Sequence, residues 1–323
     1  VPSPPPAPPP PSLLLQDALA GLLATPKTLP SKYFYDEEGS ALFETITRLD
    51  AYYPTRTERG ILERHVGEIA RAVGPRAAII EYGSGSSEKT RLLLDALDSP
   101  AAYVPIDISA DFLLVSAEQL RTEYPGLPVL PVEADYTRPF KLPELPTDTR
   151  RRVVFFPGST LGNFLPDEAT AFLKQAGELA GPNGGLILGV DLKKDRAVLG
   201  VAYDDPEGVT AQFNKNLLVR LNRELGADFD VDAFDHHAPY NEAEGRVEMH
   251  LVSRYDQTVH LDGHAIPFRA RESIHTENSY KYDLGELVPR AATAGLTLEG
   301  SWTDPAGWFA VLFFNCSLQR PDA

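Results

Sequence analysis

The chain is poor in the residues that build covalently closed or metal-held scaffolds. Of 323 residues, one is cysteine (Cys316), one is methionine (Met249) and two are tryptophan. A single cysteine excludes an intrachain disulfide and fits a reducing compartment. No apolar run approaches the roughly 20 residues needed to cross a bilayer, and the first residues lack the basic start and apolar centre of a secretory signal. A cytoplasmic protein with no membrane partner is expected. Positive charge is also scarce: 30 Lys and Arg against 46 Asp and Glu give a net charge of −16. Such a balance repels nucleic acid, and Arg150-Arg151-Arg152 is too short a basic run to offset it. Catalytic signatures are missing as well. There is no Gly-x-Ser-x-Gly elbow for a serine hydrolase and no His-Glu-x-x-His for zinc. His236-His237 and His260/His264 have no cysteine nearby, and the second pair flanks a hairpin-like turn. No metal is expected.

What is present is a soluble globular composition, 43% hydrophobic and 24% charged, long enough for two cores. Residues 1–12 hold eight prolines and read as a mobile polyproline II-like leader. A short amphipathic helix is expected at 13–24, another at 39–46, and a third from Glu58 to Val73. Apolar strands then fall near 77–82, 103–107, 129–133, 153–157 and 186–191, alternating with helical or loop stretches. That alternation predicts an α/β fold with a Rossmann-like parallel sheet. After Asp191 the texture changes. Phe213, Leu217, Leu218, Leu221 and Leu225 form a helical stripe. Segments 246–252, 258–261 and 266–268 then alternate like an antiparallel meander. A helix at 282–294 and strands at 296–302 and 308–317 close the chain. An inserted α+β domain is therefore expected: residues 13–56 plus 194–281 for substrate, 57–193 plus 282–320 for cofactor.

The first strand ends in Glu81-Tyr82-Gly83-Ser84-Gly85-Ser86-Ser87-Glu88-Lys89-Thr90. Glycines here let a ligand approach the backbone, and a helix start attracts negative charge. Three ligands compete. A P-loop needs glycine where Glu88 stands, and a dinucleotide fingerprint needs its third glycine at the same place. S-adenosylmethionine (SAM) carries no phosphate and tolerates the acid. Asp107 closes the next strand 22 residues after Gly85, the offset at which a carboxylate takes ribose hydroxyls. Asp135 closes the strand after that, where it can reach an adenine amino group, with Tyr136 beside the ring. A strand–turn–helix that binds nothing is the plain alternative, and the two acids weigh against it. Asn163, just after Gly162 in the loop that follows the fourth strand, can donate to a carboxylate and accept from an amine; a turn asparagine bonded to its own backbone is the competing reading.

In their order and spacing, several segments resemble the histidine Nα-methyltransferases of ergothioneine biosynthesis, over roughly residues 25–317. They include Tyr33-Phe34-Tyr35-Asp36, Tyr52-Tyr53-Pro54-Thr55-Arg56, the loop at 83–90, Gly158–Asn163, Ala202-Tyr203-Asp204-Asp205, Arg246-Val247-Glu248-Met249 and Thr276-Glu277-Asn278-Ser279. The resemblance implies a SAM-dependent enzyme that trimethylates free L-histidine to hercynine. It implies that Gly83, Lys89, Asp107, Asp135 and Tyr136 hold SAM. Tyr35 would lie near the amine and sulfonium, and Tyr35 and Asn163 would serve the reaction. Asn163 and Tyr203 would fix the carboxylate and amine, Tyr52, Glu277 and Ser279 would read the ring nitrogens, and Met249 would pack beside the imidazole. A small-molecule partner and a monomeric state are expected. The proline leader, and Tyr136 where the family carries phenylalanine, depart from the pattern. N-methylation of another aromatic amino acid such as tryptophan, or silent SAM binding, are the alternatives.

Overall fold

The computed structural model describes residues 12–84 and 88–316, the side chains of 111 and 112 excepted. The proline leader up to residue 11 and Gly85, Ser86 and Ser87 of the glycine loop lie outside the described residues. The chain divides into two compact units.

The larger unit comprises Leu49–Leu199, Tyr240–Val247 and the described residues from Asn278 onward. Its seven strands are β1 (Ala77–Tyr82), β2 (Ala102–Asp107), β3 (Val132–Glu133), β4 (Arg151–Phe156), β5 (Gly185–Asp191), β6 (Leu296–Thr303) and β7 (Phe309–Cys316). They lie in the order β6-β7-β5-β4-β1-β2-β3. Strands β1 to β5 run parallel, and β7 is antiparallel to both β5 and β6. Every residue of β1 and β5 is buried, which is why these strands read as continuous apolar runs: both faces of a parallel sheet are covered. Ile80, Val104, Val154 and Leu188 point to one face, where helices Pro166–Ala180 and Leu284–Thr293 supply Phe172, Leu173, Leu287 and Ala291. Ile79, Tyr103, Val153 and Ile187 point to the other, against Ile61, Leu62, Leu93 and Leu120. Each such buried Leu, Ile or Phe stabilises the fold by roughly 1.5–3 kcal/mol. Chain order reverses beside β1, since β4 returns to its other flank. In open parallel sheets, ligands bind at such a switch point, outside the carboxyl ends of the strands.

Several boundaries differ from the sequence expectation; residues 194–199, 240–247 and 278–281, expected with the substrate domain, fall in the larger unit. The helix expected from Glu58 starts at Tyr53, because Pro54 in its first turn is preset for helical φ. Residues 49–56, expected with the substrate domain, belong to the larger unit; the Tyr53 hydroxyl donates to Asp191 at the end of β5 and holds them there.

The smaller unit comprises the described residues up to Arg48, then Gly200–Pro239 and Glu248–Glu277. Helix Val209–Leu225 buries Phe213, Leu217, Leu218 and Leu221. Strands Lys27–Thr28, Ser273–Tyr280, Arg246–Ser253 and Phe234–His237 lie side by side in that order. The expected three-strand meander is corrected here. Only Gln257–Leu261 and His264–Phe268 pair as a hairpin, closed by Asp262 and Gly263, both at positive φ. Arg246–Ser253 pairs elsewhere, because a period of two marks a half-buried strand without naming its neighbour. Ser273–Tyr280 was not expected as a strand; its polar residues mask the alternation. Among the described residues, no helix is long and apolar enough to cross a membrane.

One acid inside the sheet carries a pH signature. Glu81 is buried in β1 and accepts hydrogen bonds from Thr90 Oγ1 at 2.5 Å and from the Tyr103 hydroxyl. Burial nevertheless pushes its carboxyl up to about 7 from 4.5. The folded state thus keeps a proton that the unfolded chain has lost. The stability this adds is complete below about 4.5 and lost as pH rises through about 7. Urea unfolding of Glu81→Gln across this range should show the variant gaining on the parent protein by about 2 kcal/mol as pH rises. A constant difference would mean that Glu81 ionises normally.

Candidate active site

Gly83 follows the carboxyl end of β1. Its amide donates to Ile106 O at 2.8 Å, and its φ of 67° belongs to glycine. Among the described residues, a Cβ built at Gly83 would find only Tyr136 Cε1 near it, at 4.0 Å. Asp107 ends β2, and Asp135 lies two residues past the end of β3. Each carboxylate accepts from the backbone two residues on, Ser109 N and Thr137 N, both at 3.0 Å. These turns fix the acids at the strand ends. The Tyr136 ring stacks on Tyr82 at 5.2 Å. Burial first, then the charges of Asp107 and Asp135, push the Tyr136 hydroxyl up, so it stays neutral. Among the described residues, the buried Tyr82 hydroxyl has no hydrogen-bond partner. The Lys89 ammonium pairs with Glu58, which is buried. The Glu58 carboxylate also accepts from Gly158 N at 2.9 Å. One acid on helix Tyr53–Val73 therefore ties the glycine loop to the loop that follows β4.

This donor set fits SAM better than a nucleotide phosphate. Two carboxylates suit ribose hydroxyls and an adenine amine, an aromatic ring suits the base, and the nearby lysine is already neutralised.

That second loop, 157–163, carries Asn163. Ser159 adopts a left-handed φ of 59°, and its Oγ accepts from Asp191 N at 2.8 Å. Gly162 is required here, since a Cβ on it would lie 2.8 Å from Tyr280 O. The close approach brings Asn163 beside the end of strand Ser273–Tyr280, where Ser279 sits. Beneath them, Asp191 is fully buried and gathers three donors. The Tyr53 hydroxyl lies at 2.7 Å, Lys194 Nζ at 2.5 Å and Lys281 Nζ at 2.8 Å. Lys194 Nζ also donates to the Tyr53 oxygen at 2.8 Å, and Lys281 Nζ to Ser279 Oγ at 2.8 Å. Burial pushes the Lys194 ammonium down to about 8 against the pull of Asp191. Tyr52, next to Tyr53, is buried rather than a surface loop residue.

The smaller unit holds the remaining expected residues. Tyr35 packs edge-on to Phe43 and Phe213. Tyr203 is buried, and its carbonyl receives His236 Nε2 at 2.9 Å. His236 Nδ1 accepts from Asn214 Nδ2, also at 2.9 Å. The same asparagine donates to His250 O and accepts from Thr276 Oγ1, which reaches Met249 O. Buried Asn214 thus fixes Tyr203, Met249 and the residue before Glu277 from one point. Met249 is buried, Glu277 partly so, and alternation along the strand is lost from Glu277 onward. Glu248, His250 and His275 also group within reach of one ion. The two rings stack, however, 20° from parallel with centroids 4.8 Å apart, so no point lies near both ring planes.

Sequence reasoning missed Glu58, Asp191, Lys194 and Lys281. The lysines stand in an ordinary charged run and at a strand exit, and only the fold shows that they share a carboxylate.

A family model described as "Histidine-specific methyltransferase, SAM-dependent" matches residues 14–316. The histidine N-alpha-methyltransferase of Mycobacterium tuberculosis is 46% identical over 304 residues, covering 92% of this chain and 93% of its own. Its namesake in Mycolicibacterium smegmatis is 45% identical over 303 residues, with the same shares covered. A SAM-dependent methyltransferase structure from Clostridium acetobutylicum aligns over 87% of this chain and 98% of its own, with a TM-score of 0.50 at 10% identity. That last likeness is one of fold.

The Gly162–Tyr280 approach can be tested against a neutral control. Gly162→Ala forces backbone apart and should destabilise by about 1–3 kcal/mol. Gly60→Ala, in open space on a helix, should be neutral or stabilising by up to about 1 kcal/mol. Equal denaturation midpoints for the two variants would refute the required close approach.

Proposed function

We infer that this chain, which belongs to the SAM-dependent histidine-specific methyltransferases, methylates the α-amino nitrogen of free L-histidine three times to give hercynine, the first step toward ergothioneine. The match of the family model to residues 14–316 carries this reading. The strand-end acids Asp107 and Asp135 beside Tyr136 support it for the cofactor. SAM, when bound, supplies an electrophilic sulfonium methyl, so the protein's task is largely positioning.

In this reading Gly83 lets the cofactor approach the backbone. Asp107 takes the ribose hydroxyls, Asp135 the adenine amine, and Tyr136 covers the base. Lys89 acts through Glu58 to hold the loop. On the substrate side, Asn163 and Tyr203 fix the carboxylate and amine. Tyr52, Glu277 and Ser279 read the imidazole, and Met249 fills space beside it. A neutral imidazole offers one donor and one acceptor. Glu277 can only accept when ionised, so it takes the ring N–H. A side chain without matching polar atoms leaves these groups unpaired and is rejected. The amine attacks as a neutral nucleophile in line with the methyl group. Tyr35, in this reading, steadies the developing ammonium with its oxygen and passes a proton to water.

Incubation with SAM and each of the twenty amino acids, read by mass spectrometry, should give one, two and three methyl increments on histidine. No increment on histidine, or a larger yield on tryptophan, would sink the reading. Glu277→Ala should raise KM for histidine on the order of 100-fold with SAM affinity nearly unchanged. Equal loss of both would remove Glu277 from the substrate.

A further inference from the structure

The ligand edge of the larger unit carries a cation, and its cofactor brings another. Lys89 stands in the first turn of helix Glu88–Ala96, the end at which a helix is already partly positive. Its ammonium lies 3.9 Å from where a Cβ would stand on Gly158, two residues past β4. That places it at the carboxyl ends of the strands, where an open α/β sheet binds its ligand. SAM has a positively charged sulfur, and its product S-adenosylhomocysteine a neutral one. An unbalanced ammonium at this edge would therefore favour product over donor. Among the described residues, Glu58 is the anion that pairs with Lys89. It comes from a separate helix, Tyr53–Val73, and is 1% exposed. Its two oxygens also accept from Gly158 N, at 2.9 and 3.1 Å, so the carboxylate is held in place and kept from water.

We propose that Glu58 determines the site's preference between methyl donor and product: its buried charge cancels that of Lys89, so that a ligand with a cationic sulfur is not penalised against one with a neutral sulfur. The inference rests on the SAM reading above and deepens it by naming the charge balance the donor meets. The neighbouring acids leave this work to Glu58. Glu81 is buried, accepts from Thr90 of the same helix, and lies close enough to feel both Lys89 and Glu58. It holds its proton up to about 7. Glu88 is exposed, 3.4 Å from Arg59, which also pairs with Glu63, so water and salt screen it. Asp107 and Asp135 stand at the ends of other strands and accept from the backbone there. Burial sets the size of the effect. At the effective dielectric of a protein site, a unit charge roughly 12 Å away changes the binding of another charge by about tenfold.

Calorimetry on the full chain tests the proposal, with SAM and S-adenosylhomocysteine titrated separately at about pH 6, where Glu81 still holds its proton. Excess hercynine, which has no amine N–H left to methylate, keeps SAM intact. The readout is the ratio of the two dissociation constants, SAM over S-adenosylhomocysteine. Damage to shape alone weakens both ligands alike and leaves that ratio unmoved. Glu58→Gln keeps the shape and an acceptor for Gly158 N but loses the charge, and should raise the ratio about tenfold. Adding Lys89→Met removes the unbalanced cation and should return the ratio to that of the parent, whereas structural defects accumulate. Glu88→Gln, which removes an exposed acid next to Lys89, should move it by less than about twofold. An unmoved ratio in Glu58→Gln, no rescue by Lys89→Met, or an equal shift in Glu88→Gln would each overturn the proposal. Should Glu58→Gln not fold, Lys89→Met alone at about pH 8, well above the carboxylate range, decides: a lowered ratio supports the assignment and an unmoved one overturns it. A parent that binds neither SAM nor S-adenosylhomocysteine would instead refute the cofactor reading, a distinguishable failure.

Discussion

The Asp191 carboxylate is the interaction on which the larger unit's ligand edge depends. A buried charge is tolerated only when its lone pairs are filled, and removing one partner of such a group is far costlier than the net worth of the pair. Asp191 fills its lone pairs from three separate places: Tyr53 at the head of a helix, Lys194 just past β5, and Lys281 just past strand Ser273–Tyr280. Its own amide donates to Ser159, in the loop after β4. Three segments remote in sequence, at Tyr53, Ser159 and Lys281, are thereby held to one residue. Local geometry at Asn163 and Ser279 follows from that, because both sit on segments that Asp191 has already fixed.

A second buried acid, Glu58, does the same for the glycine loop. It neutralises Lys89 and accepts from Gly158 N. The two acids divide the labour, one setting the edge assigned to the methyl donor and the other the edge assigned to the amino acid. The residues assigned to SAM fall in the larger unit, Tyr35 excepted. Those assigned to histidine are split, with Tyr52, Asn163 and Ser279 in the larger unit and Tyr203, Met249 and Glu277 in the smaller. The smaller unit fixes its share through an uncharged hub, Asn214, whose amide both donates and accepts and so needs no counter-charge.

How legible this was in the sequence depended on the range of the interaction. The parallel strands announced themselves because burial on two faces leaves an unbroken apolar run, as in Ala77–Tyr82. Asp107 and Asp135 were readable because a strand end is a local event marked by the residues around it. Gly162 hinted at a tight loop, and the reason for it, Tyr280 O at 2.8 Å from a would-be Cβ, lies more than a hundred residues away. Pairings of that range left no local trace. Tyr53 and Asp191 are 138 positions apart, and Glu58 and Gly158 are 100 apart. Strand Ser273–Tyr280 escaped for another reason: it carries His275, Glu277 and Ser279, polar residues whose presence breaks the apolar pattern that marks a strand.

Gly189 lies inside β5, with no ligand role and no unusual φ, yet a Cβ there would fall 1.9 Å from Glu58 Oε1. The carboxylate occupies the space where a side chain would begin. Positions 58 and 189 are therefore not independent as heritable sites. Any side chain gained at 189 must be matched by a shortening at 58, and that shortening releases Lys89 and Gly158 together. A glycine in the middle of a core strand thus governs the freedom of a loop it never touches. Drift across related chains should show a side chain at 189 only where position 58 no longer carries glutamate, whereas 58 can change while 189 stays glycine.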